Sequence, residues 1–319
     1  MYKYILKRLL MLIPVLLGAT FLVFCIMDLS PGDPAVTILG ADATPESIAR
    51  LREELGLNQP LLVRYAEFIG GLLKGDLGNS YKNNLSVMEQ IKDRLPNTFI
   101  LAMSGMIVAV LIGIPVGIIS AKRQYSLFDN VAMVFTLIGA ASPAFWFGLM
   151  LVIIFSLKLG WFPSAGMGSG FVGATVSLIL PAFTLGINTA ALVARMTRSS
   201  MLEVIRQDYI DTARAKGLKE SIITYRHMLK NAMIPIITVV GLQFGVLLGG
   251  SVMTESVFSW PGVGRFVVEA IKTKDTPSVL GSVVVLCILF TFVNLFVDIL
   301  YAYADPRIKS QYKTGRLAK

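Results

Sequence analysis

The sequence predicts an all-α polytopic membrane protein with six transmembrane helices and a helical insertion outside the membrane between the first two. Of its 319 residues, 55% are hydrophobic and only 15% are charged. This balance is far from that of soluble globular domains. Six tracts lack Asp, Glu, Lys and Arg, and each reaches roughly the 20 residues needed to cross a bilayer. They are residues 9–27, 95–121, 130–157, 159–194, 231–254 and 276–297.

The fourth tract is too long for one span. Its first part, GWFPSAGMGSG from Gly160 to Gly170, is rich in Gly, Pro and Ser. Such residues favour turns and irregular backbone. We therefore expect the fourth span to begin near Gly173.

The Lys and Arg residues predict the orientation. Eighteen of them lie at the two termini, in the loop after the second span and between Arg195 and Lys230, whereas the short loops on the opposite face hold four. Positive loops stay in the cytoplasm, so both termini are expected there. The net charge of +9 is thus explained by topology and gives no indication of nucleic-acid binding.

The first tract follows basic residues, as a secretory signal would. No small-residue cleavage site follows it, so we interpret it as an uncleaved anchor. Cys25 and Cys287 both fall within predicted spans. Neither their spacing nor their position indicates a metal site or a disulfide framework.

The polar insertion at 31–97 carries nine acidic and seven basic residues. Thr44 and Pro45 predict a helix start that Gly56 ends, and Pro60 opens a second helix with an apolar stripe. Ser86 and Glu89 form a capping-box pattern for a third short helix, expected to end before Pro96. The insertion either contacts a partner or is a spacer.

The chain is thereby divided into four parts. Residues 1–30 are the N-terminus and first span, and 31–97 are the insertion. Residues 98–302 are a five-helix core that includes a cytoplasmic loop at 196–235, and 303–319 are a cytoplasmic tail.

Three glycines in the fifth span recur at every fourth position: Gly241, Gly245 and Gly249. Such a stripe lets another backbone approach closely. It indicates either contact within the chain or a surface that lines a pathway or meets another subunit. Gly113 and Gly117 in the second span repeat the pattern more weakly.

Ionisable residues in membrane spans usually mark function, because placing a charge in the bilayer costs several kcal/mol. Glu255, near the outer end of the fifth span, and Asp298, towards the cytoplasmic end of the sixth, are therefore candidate gating residues. Asp298 alternatively reaches water or caps a neighbouring helix.

The sequence lacks the catalytic motifs of several enzyme classes. The chain has no Gly-Lys dipeptide and so no phosphate-binding loop, and its single histidine, His227, leaves no zinc motif and no Ser-His-Asp triad. We assign no catalytic residue, no metal ligand and no cofactor to this chain. If it transports actively, another polypeptide must hydrolyse the ATP.

The cationic segment, from Glu203 to Pro235, interrupts these apolar spans. Residues 204–216 favour a helix, and Gly217 supplies the left-handed geometry that ends it, with Leu218 folding back over the last turn. Helical spacing predicts Ile205, Tyr209 and Ala213 on one face, suited to a groove of another protein. A second helix, with a stripe of Ile222, Arg226, Leu229 and Met233, is expected to continue through Pro235 into the fifth span.

This segment resembles the cytoplasmic loop of the membrane-spanning subunits of ATP-binding-cassette (ABC) importers. Their pattern is Glu-Ala-Ala, three residues, then Gly. Asp211, Thr212, Ala213 and Gly217 occupy the matching positions. His227 and the late Pro235 depart from the pattern. Other segments are similar to permeases of the dipeptide/oligopeptide (peptide/nickel) type, and to the first of their two subunits in particular: TARAKGL, RHMLKNAMIP, LSPGDPA, LNQPLLVRYAEFIGGLLKGDLGNSY, SPAFWFGL, VFSWPGVGR and ADPRI.

The resemblance implies a type I ABC importer permease in the cell membrane that translocates di- or oligopeptides. It implies as partners a homologous second permease, two cytoplasmic ATPase subunits that hold ATP and Mg²⁺, an extracytoplasmic substrate-binding protein and membrane lipid. The ATPases would dock on a coupling helix and the turn after it. The implied residues are Tyr209, Asp211, Thr212, Ala213, Arg214, Ala215, Lys216, Gly217 and Leu218.

Three alternatives stay open at this point. The same machinery would also suit nickel chelates, glutathione or another small solute. An ion-coupled secondary carrier would explain six spans, although the chain lacks the expected group of intramembrane acids. An intramembrane hydrolase would need a nucleophile and base in the spans, and the sequence shows none.

Overall fold

The computed structural model describes residues 2–40 and 42–304, so the predicted tail at 303–319 lies almost wholly outside the described residues. Within these ranges every named secondary-structure element is a helix. Two π-helical segments, Val152–Lys158 and Ile223–Leu229, follow α7 and α10. The α-helices are α1 (Tyr2–Leu29), α2 (Pro34–Leu39), α3 (Pro45–Glu54), α4 (Leu61–Leu73), α5 (Val87–Lys122), α6 (Leu127–Ala141), α7 (Ala144–Leu151), α8 (Gly170–Ile205), α9 (Asp208–Ala215), α10 (Glu220–Ile222), α11 (Lys230–Gly250), α12 (Val252–Val257), α13 (Val263–Lys272) and α14 (Thr276–Ala304).

Five helical stretches in the described chain are long and apolar enough to cross a membrane, and a sixth is a bent pair. The fourth predicted span is α8, which begins at Gly170, three residues before the expected start. The second helix of the cationic segment runs unbroken from Glu220 to Gly250, through Pro235, as predicted.

The third predicted span is not straight. Helices α6 and α7 meet at an angle of 105°. Ser142 at the break is extended, with φ −76° and ψ 133°. Pro143 follows it, and the residue before a proline is disfavoured in the helical region. The tract at 130–157 is therefore sharply bent, a geometry that a broken span and a re-entrant loop share, and its uniform apolarity did not indicate the bend.

The predicted third short helix of the insertion is wrong. Its start is correct, but α5 passes through Pro96 and continues to Lys122. Neighbouring groups secure the backbone there: the Asn97 side chain donates to the Pro261 carbonyl at 2.9 Å, and the Trp260 indole donates to the Asn97 carbonyl at 3.0 Å. A proline removes one helical hydrogen bond, and a long membrane helix tolerates that loss.

The described chain divides into two compact units. The insertion unit holds residues 2–99 and 260–291, and the core unit holds 100–259 and resumes at Phe292. In the insertion unit, α3 and α4 begin where Thr44 and Pro60 predicted. The apolar stripe of α4 packs on α1, where Tyr65 donates to the Leu17 carbonyl at 2.9 Å and its ring meets Phe21 edge-on.

The core unit is built around α8, against which α6, α7 and α11 pack. Helix α5 approaches it most closely, through glycines. A Cβ added at Gly113 would lie 2.8 Å from the Ala190 carbonyl oxygen, and one at Gly117 would lie 2.5 Å from the Thr197 Cβ. Only glycine permits this approach, so the weaker of the two predicted glycine patterns marks a close contact between α5 and α8.

Candidate coupling site and buried ion pair

Helix α9 lies in the cationic segment, as predicted, but it is separate from α8. The backbone leaves the helix at Gln207, which is extended with ψ 139°. Asp208 and Asp211 occupy the first turn of α9 and Arg214 the last. Acids at the start and a base at the end complement the helix dipole. The eight residues of α9 are therefore a helix in their own right.

The end of α9 follows the predicted glycine geometry. Gly217 has φ +74°, and its amide donates to the Arg214 carbonyl at 2.9 Å. The Leu218 amide reaches back towards the Ala213 carbonyl at 3.4 Å. A side chain at 217 would meet no atom within 4 Å, so backbone conformation and not space requires glycine there.

The inner face of α9 differs from the predicted one. Ile210 is fully buried and Ala213 is 6% exposed. Both pack in the core of the chain itself, together with Met201 of α8 and Met228 of the following π-helical segment. Tyr209 is 42% exposed instead. Ala213 therefore holds α9 on its own chain and is not available to a groove of another protein.

The outer face of α9 and the turn after it are open. Arg214 bridges Asp211 at 3.2 Å and Glu220 at 3.0 Å, so its guanidinium is held across the turn. The hydroxyl of Tyr209 accepts from the Asn231 side-chain amide at 3.0 Å. The other predicted coupling residues that are exposed are Thr212, Ala215, Lys216, Gly217 and Leu218.

In the second helix of the cationic segment, α10 is followed by a π-helical segment, Ile223–Leu229, which changes the face that the later residues present. Ile223, Thr224 and Met228 are buried. The predicted stripe of Ile222, Arg226, Leu229 and Met233 is therefore not the buried one, since Ile222 is exposed. A stripe counted at α-helical spacing cannot follow this change of pitch.

The glycine stripe in α11 is divided in the structure. A Cβ at Gly241 would lie 2.3 Å from a Val297 methyl of α14, whereas one at Gly249 would meet nothing within 4 Å. Gly245 is buried. Gly241 thus makes the contact within the chain that was one of the two alternatives, and only Gly249 leaves an open surface.

The two candidate gating residues have different surroundings. Glu255 of α12 is fully buried, and its carboxylate accepts from the Ser251 hydroxyl at 2.8 Å. Asp298 of α14 is half-buried. The two residues lie on different helices, α12 and α14.

Sequence reasoning missed the ion pair of Asp129 and Arg198. Asp129, in the first turn of α6, is 1% exposed. The Arg198 guanidinium of α8 donates through Nε to Oδ1 and through Nη2 to Oδ2, both at 2.7 Å. The sequence signal was available: Asp129 is the last charge before a long apolar tract, and an acid in that place needs a partner.

A second buried carboxylate, Asp275, was also missed. It lies in the insertion unit between α13 and α14 and is 3% exposed. Its oxygens accept from the Ser80 hydroxyl at 2.5 Å, the Tyr81 amide at 3.0 Å and the Ser278 hydroxyl at 2.7 Å. An Asp just before Thr276 and Pro277 is a helix-start signal, but sequence alone does not indicate that it also binds a loop 194 residues away.

Comparison with known proteins identifies the family. Residues 113–310 match the family described as "Binding-protein-dependent transport system inner membrane component". Residues 1–102 match the corresponding N-terminal family. The chain belongs to this family. It is a permease subunit of a binding-protein-dependent transport system and crosses the inner membrane several times.

Curated relatives match along almost the whole chain. The dipeptide transport system permease protein DppB of Alkalihalophilus pseudofirmus is 46% identical, over 97% of this chain and all of the relative. The glutathione transport system permease protein GsiC of Salmonella choleraesuis is 44% identical, and the oligopeptide transport system permease protein AppB of Bacillus subtilis is 42% identical. Each of these two also covers 97% of this chain.

Solved structures confirm the predicted fold class. The inward-facing MetNI methionine ABC transporter aligns with a TM-score of 0.57 over 68% of this chain and 97% of the other, at 19% identity. At that identity the likeness concerns the fold alone. Together with family membership, it places the chain among ABC importer permeases, and it gives no support to an ion-coupled carrier.

Proposed function

We propose that this chain is the first of two permease subunits of an importer of short peptides, powered by ATP hydrolysis in partner ATPase subunits. One observation supports peptides as the cargo: full-length relatives at 42–46% identity are named for dipeptides, oligopeptides and glutathione. Glutathione is itself a tripeptide, so the shared chemistry is a small peptide. Nickel chelates remain the alternative cargo.

The partners in this proposal are a homologous second permease, two ATPases that hold ATP and Mg²⁺, and an extracytoplasmic binding protein. Orientation follows from the Lys and Arg distribution, which favours cytoplasmic termini. The cationic segment then faces the cytoplasm, and the insertion helices α2, α3 and α4 face outward, where the binding protein delivers its ligand.

The outer face of α9 is the proposed docking surface for an ATPase. Its exposed aromatic and apolar side chains, Tyr209 and Leu218, have charged neighbours in Arg214 and Lys216. Its buried face, Ile210 and Ala213, packs on α8, on the end of α5 and on the start of α11. A push on α9 therefore acts directly on three helices that cross the membrane.

Uptake by the assembled transporter in proteoliposomes tests the function. We expect ATP-dependent accumulation of radiolabelled dialanine, competed by unlabelled di- and tripeptides. Uptake that requires a proton or sodium gradient and no ATP would contradict the proposal. ATP-dependent uptake of a nickel chelate, without competition by peptides, would show that the cargo is a nickel chelate and would leave the ATP-driven mechanism unchanged.

Gly217 offers a test of the coupling helix with a matched control. Proline requires φ near −65° and cannot adopt the φ of +74° found there. Asparagine tolerates that conformation. We expect Gly217→Pro to abolish uptake while the subunit still inserts, and Gly217→Asn to retain most of it. Equal uptake by both variants would contradict the docking role of this turn.

A further inference from the structure

Helices α5 and α6 are held against α8 in different ways. Helix α5 meets α8 through glycines whose added Cβ atoms would clash at less than 3 Å, at Gly105, Gly113 and Gly117. On α6, the corresponding atom at Gly139 would make an ordinary contact, 3.8 Å from the Ala191 Cβ. Steric interlocking therefore fixes α5 on α8, and α6 lacks such a lock at Gly139.

A cavity of about 270 Å³ lies between α5, α6 and α8. Its walls are apolar and include Phe128 and Phe135 of α6 and Ala190 and Ala194 of α8. Missing contacts across a gap remove the dispersion attraction that would otherwise hold helices together. The cavity thus interrupts the packing of α6 on α8 over part of its length.

The ion pair of Asp129 and Arg198 adds a polar link of fixed geometry between α6 and α8. Two parallel hydrogen bonds of 2.7 Å fix both distance and orientation between the two side chains. The Asp129 carboxylate also accepts from the Tyr125 amide at 3.0 Å, so it holds the turn that joins α5 to α6. At the other end of α6, the Asn188 amide of α8 points to the Ser142 carbonyl at 3.4 Å.

The ion pair is expected to stay intact when the helices move. Separating the two groups would leave a carboxylate that is 1% exposed without its counter-charge, which is strongly unfavourable. Arg198 lies one helical turn before Met201, and Met201 packs in the same cluster as Ile210 and Ala213 of α9. The pair therefore lies next to the point where α9 contacts α8.

We propose that Asp129 and Arg198 are positioning residues for transport: they make α6 follow α8 when α9 is displaced. The inference rests on the proposed docking role of α9. The residues touch neither substrate nor nucleotide. Loss of the pair should let α8 move without α6, so that ATP is hydrolysed without completing the rearrangement of the spans.

The test uses the assembled transporter in proteoliposomes, with ATP hydrolysis and dialanine uptake measured on the same preparation. For Asp129→Asn we expect hydrolysis within about twofold of wild type and uptake per ATP reduced about tenfold, inside the range common for coupling between sites. Arg198→Lys keeps the positive charge but not the two parallel guanidinium hydrogen bonds, so we expect an intermediate loss of uptake per ATP. Glu269→Gln, which removes an exposed ion pair with Arg265, is the control with no loss.

The inverted pair, Asp129→Arg with Arg198→Asp, separates pairing from mere stability. We expect it to restore uptake per ATP at least threefold over Asp129→Asn, and only in part, because the Tyr125 amide then loses its acceptor. Wild-type coupling in Asp129→Asn would overturn the proposal, and so would an inverted pair no better than Asp129→Asn.

Cysteine cross-linking between α6 and α8 tests the inference without measuring uptake. It therefore applies even if a variant assembles poorly or the cargo is not a peptide. Cysteines replace the exposed Asn130 and Ser199 in a chain with Cys25→Ser and Cys287→Ser. We expect equal cross-linking rates with and without ATP in the otherwise unchanged chain, and rates that differ between these states after Asp129→Asn. Rates that already differ with the pair intact would overturn the inference, whereas failure of dialanine uptake alone would count only against the cargo.

Discussion

Two buried carboxylates of this protein are satisfied in opposite ways. Asp129 in the core unit is 1% exposed and is paired with a single cation, Arg198, through two hydrogen bonds. Asp275 in the insertion unit is 3% exposed and accepts from neutral groups of Ser80, Tyr81 and Ser278. Asp129 depends mainly on one charged partner, with the Tyr125 amide as an additional donor, whereas Asp275 spreads its dependence over several neutral donors.

The two arrangements suit different mechanical roles. A bidentate ion pair transmits a displacement from one helix to another, because its geometry is fixed and its separation is costly. A carboxylate surrounded by hydroxyl and amide donors fastens a loop to a helix start, and each donor contributes a modest amount. The first suits a moving part, and the second suits a static support.

The largest expected effect comes from Arg198→Met. It leaves the Asp129 carboxylate buried without a counter-charge, which should lower the free energy of unfolding by about 3–5 kcal/mol. Thermal unfolding in detergent measures this against Glu269→Gln, for which an exposed pair predicts less than about 1 kcal/mol. Similar midpoints for the two variants would remove the contrast between buried and exposed pairs.

Asp275→Ala should have the next largest effect. The Ser80 hydroxyl and Tyr81 amide lose their acceptor in a buried place, at about 2 kcal/mol in total. The loss should be local, so hydrogen exchange should rise in residues 76–86 while α8 stays protected. Uniform loss of protection over the whole chain would show that Asp275 is not a local support.

Single hydroxyl deletions should cost least, because the remaining donors persist. Ser80→Ala and Ser278→Ala are each expected to lower the free energy of unfolding by about 1 kcal/mol. If either one alone costs as much as Asp275→Ala, the support is not distributed and the comparison with Asp129 weakens.

Titration of Tyr81 sharpens the comparison without changing the fold. Burial raises the pKa of its hydroxyl above the ordinary value of 10.0, the positive charge of Arg64 lowers it, and the negative charge of Asp275 raises it. Because the folded-state pKa is the higher one, this group stabilises the fold below pH 10 and loses that contribution as the pH rises further. Absorbance difference against Tyr81→Phe should show a lower pKa in Asp275→Asn, and an unchanged pKa would exclude that influence.

The sequence predicted local features well because local chemistry decides them. Thr44 with Pro45 placed the start of α3, and Gly217 placed the end of α9. It failed where neighbours override a local signal. Pro96 does not end α5, and the polar residues 97 and 98 instead bond to the segment at 260–263. The bend at Ser142 is hidden because a broken span and a straight one have the same composition.

The position of helix α9 was predicted, but the face that it buries was not. The cationic segment, α9 and its glycine stop follow from charge and spacing. Which face of α9 is buried depends on its rotation against α8, and the π-helical segment after it shifts the following face. Ala213 therefore lies inward, and the fully buried Ile210 was not singled out.

Composition and the charge-free tracts predicted the membrane class and the number of spans, and charge and spacing predicted the short helix and glycine stop of the cationic segment. The docking role of that segment and the partner ATPases rest on the family resemblance. Which charges pair and which glycines pack depends on the tertiary structure. Asp129 and Arg198 are 69 residues apart, and their meeting depends on how two helices are placed side by side. No local pattern contains that information, because helix propensity fixes the conformation of a segment and not its neighbour.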